Sequence, residues 1–188
     1  MDNSVYDNLA KKRILFLNED IDAQNATKLS AHFLYLNSLS KRKEITLYIN
    51  CIGGVVDGGL FAIYDTMQQI SCPIKTICVG QAYSSAAVIL ASGTPGRRLA
   101  FPNSTIMIHS VSLDNISGSI HEIEIETKNL QNLNDKMLKM LSKHTGNKLQ
   151  KIKQDCARGK YMTAEEALQY GLIDGILTPE KILPSMFT

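Results

Sequence analysis

Two serines, Ser84 and Ser85, stand side by side in "GQAYSSAAVILASG" (80–93), and His109 closes the apolar run "STIMIH" 25 residues after Ser84. A serine hydroxyl becomes a nucleophile when an imidazole takes its proton, and the negative charge that follows needs N–H donors beside it. Ser84 lies where a strand-like run passes into small residues of helical character, a place with free backbone N–H groups and the positive end of a helix dipole. The same place suits a serine that merely caps a helix by accepting from one of those groups, and that is the commoner use of the residue. From the residues alone both uses stay open, with the cap ahead.

His109 falls at a strand end, where loops build sites. His32 falls inside a helix, His121 begins a long helix and His144 closes it, where a histidine suits the C-terminal dipole. Gly53 and Gly54, in "NCIGGVVDGG" (50–59), lie between a strand and a helix, where glycine lets backbone N–H groups turn toward a ligand. Their spacing fits neither GxGxxG nor GxxxxGK[ST], which argues against a nucleotide site; a tight turn or a paired donor for an oxyanion remain. Cys51, Cys72, Cys78 and Cys156 form no CxxC pair and have no histidine at ligand spacing, so the expectation is reduced, mostly buried thiols and no metal.

The elements that must hold these groups follow from periodicity. "KEITLYIN" (43–50) and "PIKTICVG" (73–80) are short β-branched runs ended by Asn or Gly, and the spacing of Leu60, Ile63, Tyr64, Met67 and Ile70 predicts a helix over 57–70. Strand, helix and strand over 43–80 form a βαβ unit. A strand over 13–18 and a helix over 25–39 start the alternation earlier, which favours an α/β fold with a largely parallel sheet. Residues 97–110 read as two short strands about a turn at Pro102 and Asn103. Ile120, Ile123, Ile125, Leu130, Leu133, Met137 and Leu141 then mark a helix from Ser119 to about Lys143, ended near Gly146 and long enough to project from its own core. A helix over 148–159 stopping at Gly159, a capping box from Thr163 to Glu166 with Gly171 as terminator, and a final strand in "LIDGIL" (172–177) complete the pass.

The chain has 188 residues, formal charge +2, 44% hydrophobic and 20% charged residues. That composition suits one soluble domain, residues 1–188, and no apolar run approaches the roughly 18 residues of a membrane span. The basic cluster Lys41, Arg42 and Lys43 is too local for a nucleic-acid footprint and reads as a solvated loop. The N-terminal residues lack the apolar centre and cleavage site of a signal peptide, so a cytoplasmic location is expected.

The motifs "LYIN..GG", "AIYDTMQ", "TICVGQAYS", "GTPGRR", "PNSTIMIH", "EIEIETKNL", "HTG" and "MTAEEALQYGLID" occur in the order and nearly the spacing of the Clp protease proteolytic subunit family, ClpP, over about residues 5–178. The resemblance reverses the prior on Ser84. It implies a serine peptidase of the ClpP/crotonase-like fold, with repeated βαβ units and a handle, about 110–145, built on the long helix. Two heptameric rings would stack around a chamber, as a homo-oligomer or with a second paralogue. Ser84 falls on the family nucleophile and His109 on its general base. The backbone N–H groups of Gly54 and Ser85 would form the oxyanion hole, leaving the Ser85 hydroxyl incidental. No cofactor is implied, because ATP is used by a partner AAA+ unfoldase of the ClpX, ClpA or ClpC type that feeds unfolded polypeptides to the chamber.

The chain also departs from the family pattern. The third triad member, an Asp, aligns with Gly159, and Asp155, one helical turn earlier, is the candidate substitute acid. "HSVSLDNISG" (109–118) replaces a handle segment written "HQPLGG" in relatives, and Ile52 replaces a proline in "CIGG". Few residues precede "VYDNLAKKRILFL", so little of an axial-pore segment is expected. Arg158 is retained, but a link between rings through it and the missing Asp would be broken. The expectation is an endopeptidase of attenuated or partner-dependent activity; the alternative is a non-cleaving structural or regulatory subunit of a mixed barrel. A crotonase-like acyl-CoA enzyme shares the oxyanion architecture but does not need the Ser and His pair.

Overall fold

The alternation of buried and part-exposed positions along "ITLYINC" sends Ile45, Leu47, Ile49 and Cys51 to one face, and the strand they form is the second of a seven-stranded sheet. A computed structural model describes residues 3–112 and 117–178. Its elements run α1 (Asn3–Lys11), β1 (Ile14–Leu17), α2 (Ala23–Leu39), β2 (Ile45–Cys51), a π-turn (Val56–Leu60), α3 (Phe61–Gln69), β3 (Ile74–Tyr83) and α4 (Ser85–Ala91). They continue with β4 (Arg98–Ala100), β5 (Thr105–Ile108), α5 (Ile120–Thr145), α6 (Leu149–Arg158), β6 (Lys160–Thr163), α7 (Ala164–Tyr170) and β7 (Gly175–Ile176). Strands β1, β2, β3, β4 and β7 pair in that order, all parallel, as expected when helices return the chain between strands.

The helices start and stop where local chemistry says they must. Asp22 caps α2 by accepting from the Asn25 N–H at 2.7 Å, and Ser119 with Glu122 and Thr163 with Glu166 form complete capping boxes on α5 and α7. Phe33 and Leu36 of α2 pack with Ile45, Leu47 and Ile49 in one core cluster, each such buried side chain contributing about 1.5–3 kcal/mol of transfer free energy. Helix α4, "SAAVILA", is buried at all seven positions, and its alanines give it the slimness that a central helix against β3 needs. Helix α5 buries only Met137, Leu138 and Leu141, while Ile120, Ile123 and Ile125 are exposed, so its first half projects from the core.

Strand β3 is ten residues long and changes neighbour along its length. Thr76, Ile77 and Cys78 pair with Arg98, Leu99 and Ala100 of β4; beyond Gly80, which has φ 87°, Gln81, Ala82 and Tyr83 pair with Thr105, Ile106 and Met107 of β5. The two runs about Pro102 and Asn103 therefore lie end to end along β3 and do not form a hairpin with each other. Strand β6 joins β5 antiparallel, and the β5–β6 ribbon has no sheet neighbour among the described residues except β3.

All four cysteines are free and buried. Lys41, Arg42 and Lys43 are exposed in the loop after α2. The replaced handle segment, 109–118, lies partly outside the described residues, which omit 113–116.

His144 departs from its expected part as a cation on the end of α5. Its Nε2 lies 2.9 Å from the Tyr64 hydroxyl, and burial, then the charges of Lys143 and Arg98, push its pKa down to about 4. The unfolded chain takes up this proton near pH 6.5 and the folded chain only near pH 4, so stability is complete above pH 6.5 and declines as pH falls toward 4. Thermal melts across that window are expected to show Tm falling with pH in the wild type and a flatter profile in His144→Gln.

Candidate active site

Serine 84 sits at the end of β3 with φ 57° and ψ −124°, a conformation that costs a side-chain-bearing residue on the order of 1–3 kcal/mol. Its own N–H donates to the Met107 carbonyl at 2.8 Å, which locks the turn to β5. His109 leaves β5 one residue beyond Ile108, and its Nε2 lies 2.8 Å from the Ser84 Oγ. The hydroxyl makes no hydrogen bond to the start of α4. The cap reading of Ser84 therefore fails: its hydroxyl faces an imidazole, and the strained backbone is what aims it there.

Gly53 and Gly54 abut the serine pair. A Cβ at Gly53, where φ is 104°, would lie 2.8 Å from the Ser84 Cβ and 2.8 Å from the Tyr83 carbonyl oxygen. One at Gly54, where φ is 145°, would lie 2.3 Å from the Ile21 carbonyl oxygen. Ile21 bridges to Gly54, donating to the Gly53 carbonyl and accepting from Val55 N–H, so the turn is pinned from behind. Among the described residues neither the Gly54 N–H nor the Ser85 N–H has an acceptor. Gly53→Ala is expected to push Ser84 off His109 and slow acylation of Ser84 by roughly tenfold with little change in the far-ultraviolet circular dichroism.

The Ser85 hydroxyl has a role that the sequence reading treated as incidental. Ser85 is fully buried, and its Oγ donates to the Gly54 carbonyl at 3.3 Å. The side chain thus ties the glycine turn to the first residue of α4, holding the two N–H donors in one rigid unit. No local sequence signal marks this contact, because it spans 31 residues.

The third position lies at the end of the β5–β6 ladder. Residues 105–108 pair with 163–160, so His109 and Gly159 each lie one residue beyond the last pair, and the Ser110 N–H donates to the Cys156 carbonyl at 3.0 Å. Gly159 is exposed, has φ 69°, and a Cβ on it would meet nothing within 4 Å among the described residues. Asp155 is not brought to His109. Its Oδ2 accepts from Lys151 at 2.7 Å and from the Tyr170 hydroxyl at 2.7 Å. Burial would raise its pKa, but these hydrogen bonds and the charges of Lys151 and Lys160 outweigh that and hold the carboxyl below its ordinary range. Among the described residues no side chain meets the His109 Nδ1. Burial pushes the nearby Cys156 thiol up to about 12, so it stays protonated.

Two neighbours of the pair escaped sequence reasoning. Tyr83 and Tyr161 make an edge-to-face contact at 5.5 Å beside the Ser84 turn, across a ribbon whose outer strand, "KYMT", is too short to show a period. Asn134 of α5 accepts from the Val111 N–H at 3.0 Å, tying the chain just beyond His109 to the long helix. Among the described residues no group of His, Cys, Asp or Glu could hold a metal ion, and no helix is long and apolar enough to cross a membrane. Two clefts, of about 400 and 530 Å³, open elsewhere, one lined by residues that include Tyr6, Phe16 and Asn25 and the other by residues that include Met67, Pro73 and His144.

Comparison with known proteins gives the arrangement a context. A family model described as Clp protease matches residues 1–180. The ATP-dependent Clp protease proteolytic subunit 2 of Corynebacterium jeikeium (strain K411) is 38% identical over 181 residues, covering 96% of this chain and 86% of that protein. The proteolytic subunit 1 of Mycolicibacterium paratuberculosis (strain ATCC BAA-968 / K-10) is 42% identical over 182 residues, 96% of this chain and 86% of that one. The proteolytic subunit 2 of Mycobacterium leprae (strain TN) is likewise 42% identical over 182 residues, 96% of this chain and 85% of that protein.

Proposed function

The chain belongs to the Clp protease family, and on that premise we propose that it is a proteolytic subunit in which Ser84 is the nucleophile and His109 the general base. The observation that carries the assignment is the 2.8 Å contact between the Ser84 Oγ and the His109 Nε2, made by a serine held at positive φ and free of any capping bond. In the reaction, the Ser84 oxygen attacks a peptide carbonyl carbon while the imidazole takes the hydroxyl proton. The N–H groups of Gly54 and Ser85 receive the oxyanion, the imidazolium returns the proton to the leaving amine, and water repeats the sequence on the acyl-enzyme.

For Nε2 to accept, His109 must carry its proton on Nδ1, and a triad carboxylate ordinarily fixes that tautomer and steadies the imidazolium. Gly159 supplies none, so activity is attenuated or depends on assembly with a partner. As a member of its family the subunit works in ring oligomers with Clp ATPases. We assign it to two stacked heptameric rings, alone or mixed with a paralogue, in the cytoplasm. A ClpX, ClpA or ClpC type unfoldase would spend the ATP and supply unfolded polypeptide, leaving this chain without a cofactor. The exposed isoleucines on the projecting half of α5 support its use as the handle between rings.

A non-cleaving subunit is the second reading, favoured by Gly159 alone; the retained Ser84 and His109 contact and the named relatives weigh against it. A fluorophosphonate probe separates the two. The purified chain, alone and mixed with a paralogue, is expected to form an adduct on Ser84. No adduct in either setting, with the oligomer intact by native mass, overturns the enzyme reading.

A further inference from the structure

We infer that a small free carboxylate of formate or acetate size binds beside His109, in the space over Gly159, and raises the reactivity of Ser84. The inference rests on the assignment of Ser84 and His109 above. Three observations carry it. His109 and Gly159 each follow the last pair of the β5–β6 ladder, Ile108 with Lys160, and a Cβ at 159 would meet no atom within 4 Å among the described residues. The imidazole spends Nε2 on Ser84, and its Nδ1 has no partner among the described residues. Asp155, four residues before Gly159, is committed to Lys151 and Tyr170.

Gly159 is exposed, so small solutes reach the space from bulk water, and the exposed Arg158 beside it has no ion pair among the described residues. A carboxylate placed there accepts the Nδ1–H bond, which fixes the tautomer with Nε2 open toward Ser84. It also stabilises the imidazolium formed when Ser84 gives up its proton. No covalent bond is made to the anion, and it leaves unchanged.

The test measures the rate of fluorophosphonate labelling of Ser84 in the full chain, near neutral pH and at constant ionic strength, with sodium chloride replaced stepwise by sodium formate or acetate. A saturable rise of roughly tenfold is expected, a small part of the four orders of magnitude that a built-in acid supplies. Methanesulfonate, an anion of acetate's size and a far poorer acceptor, is expected to give no rise. An equal rise with methanesulfonate or chloride overturns the inference. Labelling that is measurable but indifferent to carboxylates overturns it too and leaves the Ser84 and His109 assignment standing. Absence of labelling under every condition sinks both.

Gly159→Asp, which carries the acid within the chain, locates the effect: it is expected to label faster without added carboxylate and to lose the acetate response. The positive φ at 159 strains any side chain there. If that variant does not assemble, the anion series on the unsubstituted chain decides alone.

Discussion

Ser84→Ala is expected to lower peptide turnover by roughly a hundredfold, far less than the millionfold loss that follows removal of the nucleophile from a complete triad. In a reference serine protease, losing the serine or the histidine alone costs about 2 × 10⁶ in kcat, as much as losing all three, whereas losing the acid alone costs about 3 × 10⁴. Residues that act as a unit do not contribute additively. With Gly159 in the acid position, most of the catalytic advantage of the unit is already absent, and about two orders of magnitude remain to be lost. His109→Ala should match Ser84→Ala, and the double variant should go no lower. The measurement is kcat on a short fluorogenic peptide, with native mass confirming that each variant assembles. A millionfold loss in Ser84→Ala would mean that another group replaces the acid in the assembly; no loss would remove Ser84 from the chemistry.

Arg98→Ala is expected to cost about 1–3 kcal/mol of stability, the usual penalty for leaving buried hydrogen-bonding groups without their partner. The Arg98 side chain is only 10% exposed. Its Nε and Nη2 donate to Asp174 at 2.9 and 2.6 Å, and its Nη1 is directed at the carbonyls of Ala91, His144 and Gly171. Those carbonyls lie at the C-terminal ends of α4, α5 and α7, so one guanidinium neutralises the unsatisfied ends of three helices. Its removal takes this donor from all three carbonyls, while the Asp174 carboxylate keeps the backbone N–H of residue 98. Arg98→Lys keeps the charge but loses the planar fork and should fall between wild type and alanine. Burial acts to raise the Asp174 pKa, but the hydrogen bonds and charge of Arg98 prevail and hold it low. This part of the stability is therefore present above about pH 4 and lost as pH falls through the lower folded value. Urea midpoints for the three proteins, at neutral pH and in acid, read both effects.

What could be read in the sequence was local. Ser119 with Glu122, Thr163 with Glu166, and the glycines at 146, 159 and 171 write helix ends into a few consecutive residues, and those helices stand where their signals lie. The β-branched runs "KEITLYIN" and "PIKTICVG", ended by Asn or Gly, located β2 and the first part of β3 for the same reason. Helix α1, short and amphipathic at the N-terminus, was not anticipated, nor was β6, whose four residues carry too little pattern. The motif resemblance singled out Ser84 and His109, but nothing near Ser84 announced its positive φ, in a turn bonded to Met107, 23 residues on, and packed close to Gly53, 31 residues back. Asp155 looked available from helical spacing alone; Tyr170, which claims it, is 15 residues away and arrives only when α7 packs on α6.

The change of partner along β3 makes catalytic competence a gauge of strand alignment. Ser84 directly follows β3 and His109 directly follows β5, and the three pairs from Gln81 to Tyr83, with the Ser84 N–H bond to the Met107 carbonyl, set one against the other. A slip of β5 by two residues would keep every buried side chain on its proper face, so the core would tolerate it, but it would bring residue 107 or 111 to the serine in place of the imidazole. Misassembled protein of that kind would be folded, stable and silent toward an active-site probe. The fraction of chains that label therefore counts correctly registered ribbons, something that no measurement of secondary structure or oligomer mass would reveal.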